Sequence, residues 1–146
     1  MKPLYIFDLD GTLALIHHRR HFVEGIVKDW PKFFAACVDD KPNVPIIKIL
    51  RTLIEHGADV WVWSGRSDEV RVQTVGWLYC WGYYGEVKMR KSGDHQPDEQ
   101  LKQTWYDELS TIDRARLVAV FDDRDRVVQM WRRNSVTCLQ VAPGNF

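Results

Sequence analysis

Asp8 and Asp10 stand one residue apart in Asp8-Leu9-Asp10-Gly11-Thr12, directly after the apolar run Leu4-Tyr5-Ile6-Phe7. Side chains at positions i and i+2 of an extended segment point the same way, so these two carboxylates face one small volume. Two converging carboxylates suit either a divalent cation or a nucleophile with a neighbouring acid/base. The purely structural alternative is an Asx turn in which Gly11 supplies a positive φ. Which of the two applies depends on the residues that the rest of the chain brings to the same place.

Two other apolar runs end in polar groups of the matching kind. Val60-Trp61-Val62-Trp63 runs into Ser64-Gly65-Arg66. Ser64 offers a hydroxyl and adjacent backbone N–H groups to a phosphate oxygen, and Arg66 could add a bidentate contact. An ST-turn capping the next helix is compatible with the same residues. Leu117 to Phe121 is followed by Asp122-Asp123. Three or four acids at one sheet edge repel one another strongly without a cation, which argues for bound magnesium. Helix capping explains one acid of that pair but not both. Lys102, taken by itself, reads as a solvated surface lysine.

The elements that would position these residues alternate along the chain. Strands are expected at Leu4 to Phe7, Val60 to Trp63, Glu86 to Met89, Leu117 to Phe121 and Val136 to Val141. Helices are expected from Pro45 to Glu55, Asp68 to Cys80, Pro97 to Leu109 and Asp125 to Asn134. His56-Gly57 and Gly82 mark helix ends, and Ser67 an N-cap. The alternation predicts an α/β fold: a mostly parallel sheet with helices on both faces. Ligands in such sheets bind at the carboxyl ends of the strands, where the acids lie. Residues 16–43 break the rhythm, with His17-His18-Arg19-Arg20-His21 and Trp30-Pro31-Lys32-Phe33-Phe34. That length predicts a small lid or substrate-binding insertion after the first strand. The three histidines lack the Cys partners and helical pairing of a zinc site. Trp30, Phe33 and Phe34 could stack on a base, although Phe33-Phe34 reads more simply as packing on one helical face.

Composition narrows the class. The 146 residues fit one domain, with no linker to mark a second. Twenty basic against twenty acidic residues leave no net charge, which argues against a general nucleic-acid-coating role but allows a local basic rim. Cys37, Cys80 and Cys138 have no paired spacing and sit among apolar residues, so buried free thiols are expected. The first apolar run is too short for a signal sequence or a membrane span, and the expected location is the cytoplasm.

Taken together, Asp8-Leu9-Asp10-Gly11-Thr12, Ser64, Lys102 and Asp122-Asp123 occur in the order of the four motifs of haloacid dehalogenase superfamily phosphatases. The chain resembles that family and its Rossmann-like fold. More narrowly it resembles the 3′-phosphatase domain of bacteriophage polynucleotide kinase, above all from Phe121-Asp122-Asp123-Arg124 to Pro143-Gly144-Asn145-Phe146. The resemblance implies that Asp8 attacks phosphorus to form an aspartyl-phosphate. Asp10 then protonates the leaving oxygen and later activates water. It implies magnesium held by Asp8, the carbonyl of Asp10 and an acid of the pair, with Asp123 the first choice and Asp122 positioning water or Lys102. Ser64 and Lys102 would stabilise the phosphoryl oxygens. Gly11, Thr12, Gly65, Arg66 and Arg90 would lie against the substrate.

The expected activity is removal of a 3′-phosphate from a nucleic-acid end. The rivals are a phosphatase of free nucleoside monophosphates and a non-catalytic binding module of the same fold. No Gly-x-x-x-x-Gly-Lys phosphate loop occurs in the sequence, so no kinase chemistry is expected of it. If phage-encoded, the chain would work in the host cytoplasm.

Overall fold

In the computed structural model, which describes residues 1–146, strict alternation along the strands divides two cores. The first strand, β1 (Leu4–Phe7), sends Tyr5 and Phe7 to one face of a sheet and Leu4 and Ile6 to the other. Strand β4 (Asp59–Ser67) repeats this, with Val60 and Val62 on the first face and Trp61 and Trp63 on the second. Both faces are therefore apolar, the pattern of a parallel sheet covered on two sides. Strands β5 (Val87–Arg90), β6 (Leu117–Asp122) and β7 (Cys138–Gln140) complete a five-stranded parallel sheet in the order β5-β4-β1-β6-β7.

Helices α2 (Val44–Glu55) and α3 (Arg71–Cys80) cover the first face with Ile47, Leu50, Trp77 and Leu78. Helices α4 (Asp98–Asp107) and α6 (Asp125–Arg133) cover the second with Leu101, Trp105, Val127, Val128 and Trp131. A short helix, α5 (Thr111–Arg116), lies between α4 and β6. Its N-cap Ser110 accepts from the Asp113 N–H at 3.0 Å, but it buries no residue. That absence of an apolar stripe hides it from a periodicity search.

The insertion after β1 carries its own small framework. Strands β2 (Ala14–Leu15) and β3 (Lys41–Pro42) pair antiparallel and close its base. Between them run a 3-10 turn at His17–Phe22, the six-residue helix α1 (Trp30–Ala35) and a second 3-10 turn at Ala36–Asp39. Cys37 and Cys138 are buried, as expected, whereas Cys80 is exposed at the end of α3. In the last turn of that helix Trp77 and Leu78 turn into the core, which leaves Tyr79 and Cys80 on the solvent side. No helix is long and apolar enough to cross a membrane.

Register fixes the active edge. Phe7 is paired with Val62 on one side and Phe121 on the other. The Phe7 and Phe121 rings stack at 4.3 Å with planes 4° apart. The Asp8 N–H continues the ladder to the Phe121 carbonyl at 2.9 Å, which sets Asp8 beside Asp122. On the opposite face Trp131 is fully buried against Trp63 and Tyr106. Replacing it by alanine should cost about 3–5 kcal/mol, the range for large-to-small changes in a core. Urea unfolding should show this as a lower midpoint at constant slope.

Candidate active site

Asp8 enters the site from the end of β1 and Lys102 from the second turn of α4. The Lys102 side chain is buried, and its Nζ donates to Asp8 Oδ1 at 2.7 Å and to Asp122 Oδ2 at 2.8 Å. Burial works against the charged lysine. The Asp122 and Asp8 carboxylates outweigh it and hold the ammonium protonated well above its usual range. The surface-lysine alternative is thereby excluded. Thr12 Oγ1 donates to Asp8 Oδ2 at 3.2 Å. Fully buried, Thr12 steadies Asp8, and neither it nor Gly11 lines the cavity, a correction to their expected contact with substrate.

Asp122 has little capacity left. Besides Lys102 it accepts from the Asp123 N–H at 2.9 Å and the Arg124 N–H at 3.1 Å. The Asp123 carboxylate takes no hydrogen bond from another residue. It packs where a Cβ on Gly11 would stand, and Gly11 sits at φ +81°. Both facts require glycine there. Oxygen atoms of Asp8, Asp122 and Asp123 lie within 4.8 Å of one another. Burial first, then Asp122, pushes Asp123 up to about 7, with Lys102 offsetting only part. Burial and Asp122 likewise push Asp8 well above the carboxylate range. A buried, all-oxygen cluster with surplus negative charge fits a hard divalent cation.

Asp10 lives in the opposite electrostatic climate. Its Oδ1 accepts from Arg66 Nε at 3.0 Å, Arg66 Nη2 at 2.7 Å and Arg19 Nη2 at 2.7 Å. Burial acts to raise its pKa, but Arg66 and Arg19 together hold it below the usual range. The same two arginines converge on Asp40. Arg19 Nε and Nη2 each lie 2.7 Å from its two oxygens, and Arg66 Nη2 lies 2.8 Å away. Two guanidiniums and two carboxylates make a neutral, buried quartet, with His18 Nε2 2.8 Å from Asp40 at its edge.

Arg66 therefore does not face substrate as the sequence suggested. Its remaining donor reaches Thr74 Oγ1 at 3.0 Å, and the side chain is absent from the cavity wall. The backbone explains the turn. Ser64 pairs with Met89 and Ser67 with Arg90, so Gly65-Arg66 are two surplus residues in β4. Such a bulge re-aims a side chain. Ser64 Oγ accepts from the Arg66 N–H at 3.1 Å, closing the ST-turn foreseen as an alternative. Gly65 does line the cavity. Arg90 lines it too, but donates inward to the carbonyls of Gly65, Asp94 and Gln96 and to Asp98 Oδ1. It staples the loop before α4, so its reach toward substrate is spent on that loop.

A cavity of about 700 Å³ joins these groups, and Asp8, Asp10, Asp122 and Asp123 all open onto it. Trp30 and Phe34 of the insertion and the loop after β5 form further wall. Sequence reasoning missed Arg19, Asp40 and Asp98. Arg19 lay inside a basic run that looked like surface, and Asp40 had no motif at all.

Oxygen-rich chemistry at the carboxyl edge of this five-stranded sheet, with an insertion after the first strand, defines a haloacid dehalogenase-like Rossmann fold. Known proteins agree. A putative phosphatase from Clostridium difficile superposes with a TM-score of 0.66 at 15% identity, over 95% of this chain and 84% of that one. The class C acid phosphatase of Bacillus anthracis gives 0.68 at 14% identity, over 99% and 67%. Residues 2–146 match the family described as the polynucleotide kinase PNKP phosphatase domain, and the chain belongs to that family as a phosphatase hydrolase. A chain of the Pnkp1/Rnl/Hen1 RNA repair complex is similar at 28% identity and a TM-score of 0.82, over 99% of this chain and 44% of that one. A putative bifunctional polynucleotide kinase/RNA ligase of Autographa californica nuclear polyhedrosis virus is 30% identical over 131 residues, 86% of this chain and 17% of the viral protein. The chain thus spans less than half the length of these two relatives.

The quartet yields a test. Asp40→Asn removes one charge and leaves two buried guanidiniums sharing Asp10. Breaking a buried ion pair in this way costs about 3–5 kcal/mol. Urea unfolding should register that loss, and turnover of p-nitrophenyl phosphate should fall more than tenfold.

Proposed function

We propose that the domain removes the 3′-phosphate from a nucleic-acid end through an aspartyl-phosphate on Asp8. The observation that carries the mechanism is the contrast between two carboxylates one residue apart. Asp8 sits with an ammonium among acids, and Asp10 is held by two guanidiniums. The family match and the likeness to a chain of an RNA repair complex support the nucleic-acid substrate.

In this reading an oxygen of Asp8 bonds to phosphorus as the bond from phosphorus to the ribose 3′-oxygen breaks. Asp10 delivers a proton to that leaving oxygen. In the second half Asp10 takes a proton from water, whose oxygen attacks phosphorus and releases inorganic phosphate and free Asp8. The depressed pKa of Asp10 suits the second half. The incoming phosphate dianion favours its protonated form in the first. Lys102 stabilises the phosphoryl oxygens, a donor of a kind typically worth about 10²–10³-fold. Ser64, buried behind the cavity wall, would add its hydroxyl only if the phosphate reached past that wall. Lys102 also keeps Asp8 aimed and partly neutralised before substrate arrives. Asp8, the main-chain carbonyl of Asp10 and Asp123 would hold magnesium, whose charge offsets repulsion between carboxylate and phosphate. Asp123 suits direct ligation because its oxygens have no other donor. Asp122 suits the holding of Lys102.

Asp8→Asn should abolish release of phosphate from an oligonucleotide 3′-phosphate while circular dichroism stays unchanged. Retained turnover would remove Asp8 as nucleophile. Nucleoside 3′- and 5′-monophosphates assayed alongside separate a nucleotidase from an end-processing enzyme.

The cluster also predicts how stability depends on pH without metal. A carboxyl whose pKa is raised by folding contributes stability that is present below its unfolded value near 3.8. That stability is lost as pH rises through the folded value, about 7 for Asp123. The lowered group Asp10 acts in the opposite sense and only below the ordinary carboxylate range. Metal-free protein should therefore melt at a lower temperature at pH 8 than at pH 5. Added magnesium should raise the melting temperature more at pH 8. A magnesium effect equal at both pH values would detach the cation from these acids.

A further inference from the structure

One aromatic side chain of the insertion is left without an evident packing role. Trp30 opens α1, lines the cavity and remains 44% exposed. Its neighbours also border the cavity but are mostly covered: Phe33 is 6% exposed, and Phe34, half-buried, packs against the α2–α3 core. Both brace the indole. Phe34 stacks on it at 5.9 Å with planes 29° apart, and Phe33 meets it edge-on at 5.6 Å. Lys28 Nζ lies 5.9 Å from the ring centroid. The result is an exposed, braced aromatic surface in the same cavity as the acidic cluster. Simple packing would be served equally by a smaller apolar residue that exposed less area.

Charge on the cavity wall points the same way. Glu24 is paired with Arg20 at 2.9 Å, and Asp98 with Arg90 and Arg124. Lys28, Lys91 and Arg126 line the cavity and form no ion pair, and neither do Glu69 and Glu99 on the same wall, but Lys28 is the one set beside the indole. A single terminal phosphate would already be met by Lys102 and by a cation held at Asp8 and Asp123. Lys28, unpaired and beside Trp30, is therefore suited to an additional anion, and a nucleotide chain supplies one as an internal phosphodiester. The cavity, at about 700 Å³, is also far larger than a phosphate needs.

We propose that Trp30, with Lys28 beside it, forms a stacking subsite for a base upstream of the terminal phosphate. It makes the domain prefer single-stranded polynucleotide ends over free nucleoside 3′-monophosphates. The inference rests on the 3′-phosphatase reading above and adds to it the element that senses chain length. Stacking on an indole tolerates any base, because every base has a π-face. The preference is accordingly for strand length and not for sequence.

The test compares kcat/KM for a single-stranded oligonucleotide 3′-phosphate with that for a nucleoside 3′-monophosphate, with p-nitrophenyl phosphate as a third substrate. Trp30→Leu keeps apolar volume but loses the π-face, and Trp30→Phe keeps one. The oligonucleotide-to-mononucleotide ratio should fall about 5- to 150-fold in Trp30→Leu, the range for loss of one base stack, and hold within about threefold in Trp30→Phe. Lys28→Ala should flatten the dependence of log kcat/KM on log salt for the oligonucleotide by about 0.7, one single-strand phosphate contact. Equal losses on both substrates in Trp30→Leu would reduce Trp30 to packing and overturn the proposal. A wild type that treats the two nucleotide substrates alike would overturn it too, while leaving the 3′-phosphatase reading in place. Turnover of p-nitrophenyl phosphate alone would remove both.

Discussion

The bridge from Lys102 to Asp8 and Asp122 is the interaction on which the site depends. Parallel pairing of β1 with β6 places two acidic strand ends side by side, a consequence of backbone register and not of any preference among the carboxylates. Two like charges about 4 Å apart repel by about 4 kcal/mol at the effective dielectric of a protein edge. Three acids in that volume would push the strand ends apart or take up protons. One buried ammonium between two of them offsets most of the strain. It reaches there because Leu101 and Trp105, on either side of it in α4, are anchored in the core beneath the sheet. The apolar packing of α4 and the electrostatics of the edge are thus one design.

The insertion answers to the same constraint from the other side. Arg19 and Asp40 are separated by 21 residues, yet both converge on Asp10 and Arg66. The segment that walls the cavity is therefore fastened to the proposed acid/base through a buried, neutral quartet. Its inner residues are tied to Asp10 and Arg66, whereas the stretch from Ile26 to Trp30 is largely exposed and takes no part in the quartet.

The parts of the structure legible in the sequence are those governed by short-range pattern. Strand alternation, the glycine after Asp10 and the acids after Phe121 located the sheet edge correctly, because side-chain period and register are local properties. The three carboxylates of the cluster followed from that placement. Lys102 was legible only through family resemblance, since nothing about a lysine in a polar helix reveals that it points inward. Arg66 was assigned to phosphate because a guanidinium near a phosphate site is the simplest pairing. The two-residue bulge that turns it toward Asp10 has no composition of its own. Asp40 and Arg19 were invisible for a related reason: a buried ion pair joins residues distant in sequence, and each looks like surface alone. Helix α5 escaped because capping, not burial, holds it.

The unequal partners of the two leading carboxylates give a physical basis for dividing their labour. Asp8 shares one lysine with Asp122 and lies near Asp123, so its surroundings carry excess negative charge. Asp10 shares two arginines with Asp40 and lies in a balanced field. A cation is drawn to the first environment and gains little from the second. The choice of cation type follows the same logic. Lysine is a compact point charge that can be shared between two acids while its third N–H remains for an incoming oxygen. Arginine presents a planar fork that fixes a carboxylate's orientation through several bonds at once. An attacking oxygen must move toward phosphorus, and one ammonium on Oδ1 with one longer hydroxyl contact on Oδ2 restrains Asp8 less than the three guanidinium bonds restrain Asp10. A proton-transfer group must stay where it is through two successive steps, which the paired forks of Arg19 and Arg66 enforce. Exchanging the two arrangements would immobilise the proposed nucleophile and loosen the proposed acid/base, so the pattern of partners, more than the identity of the two aspartates, supports the proposed roles.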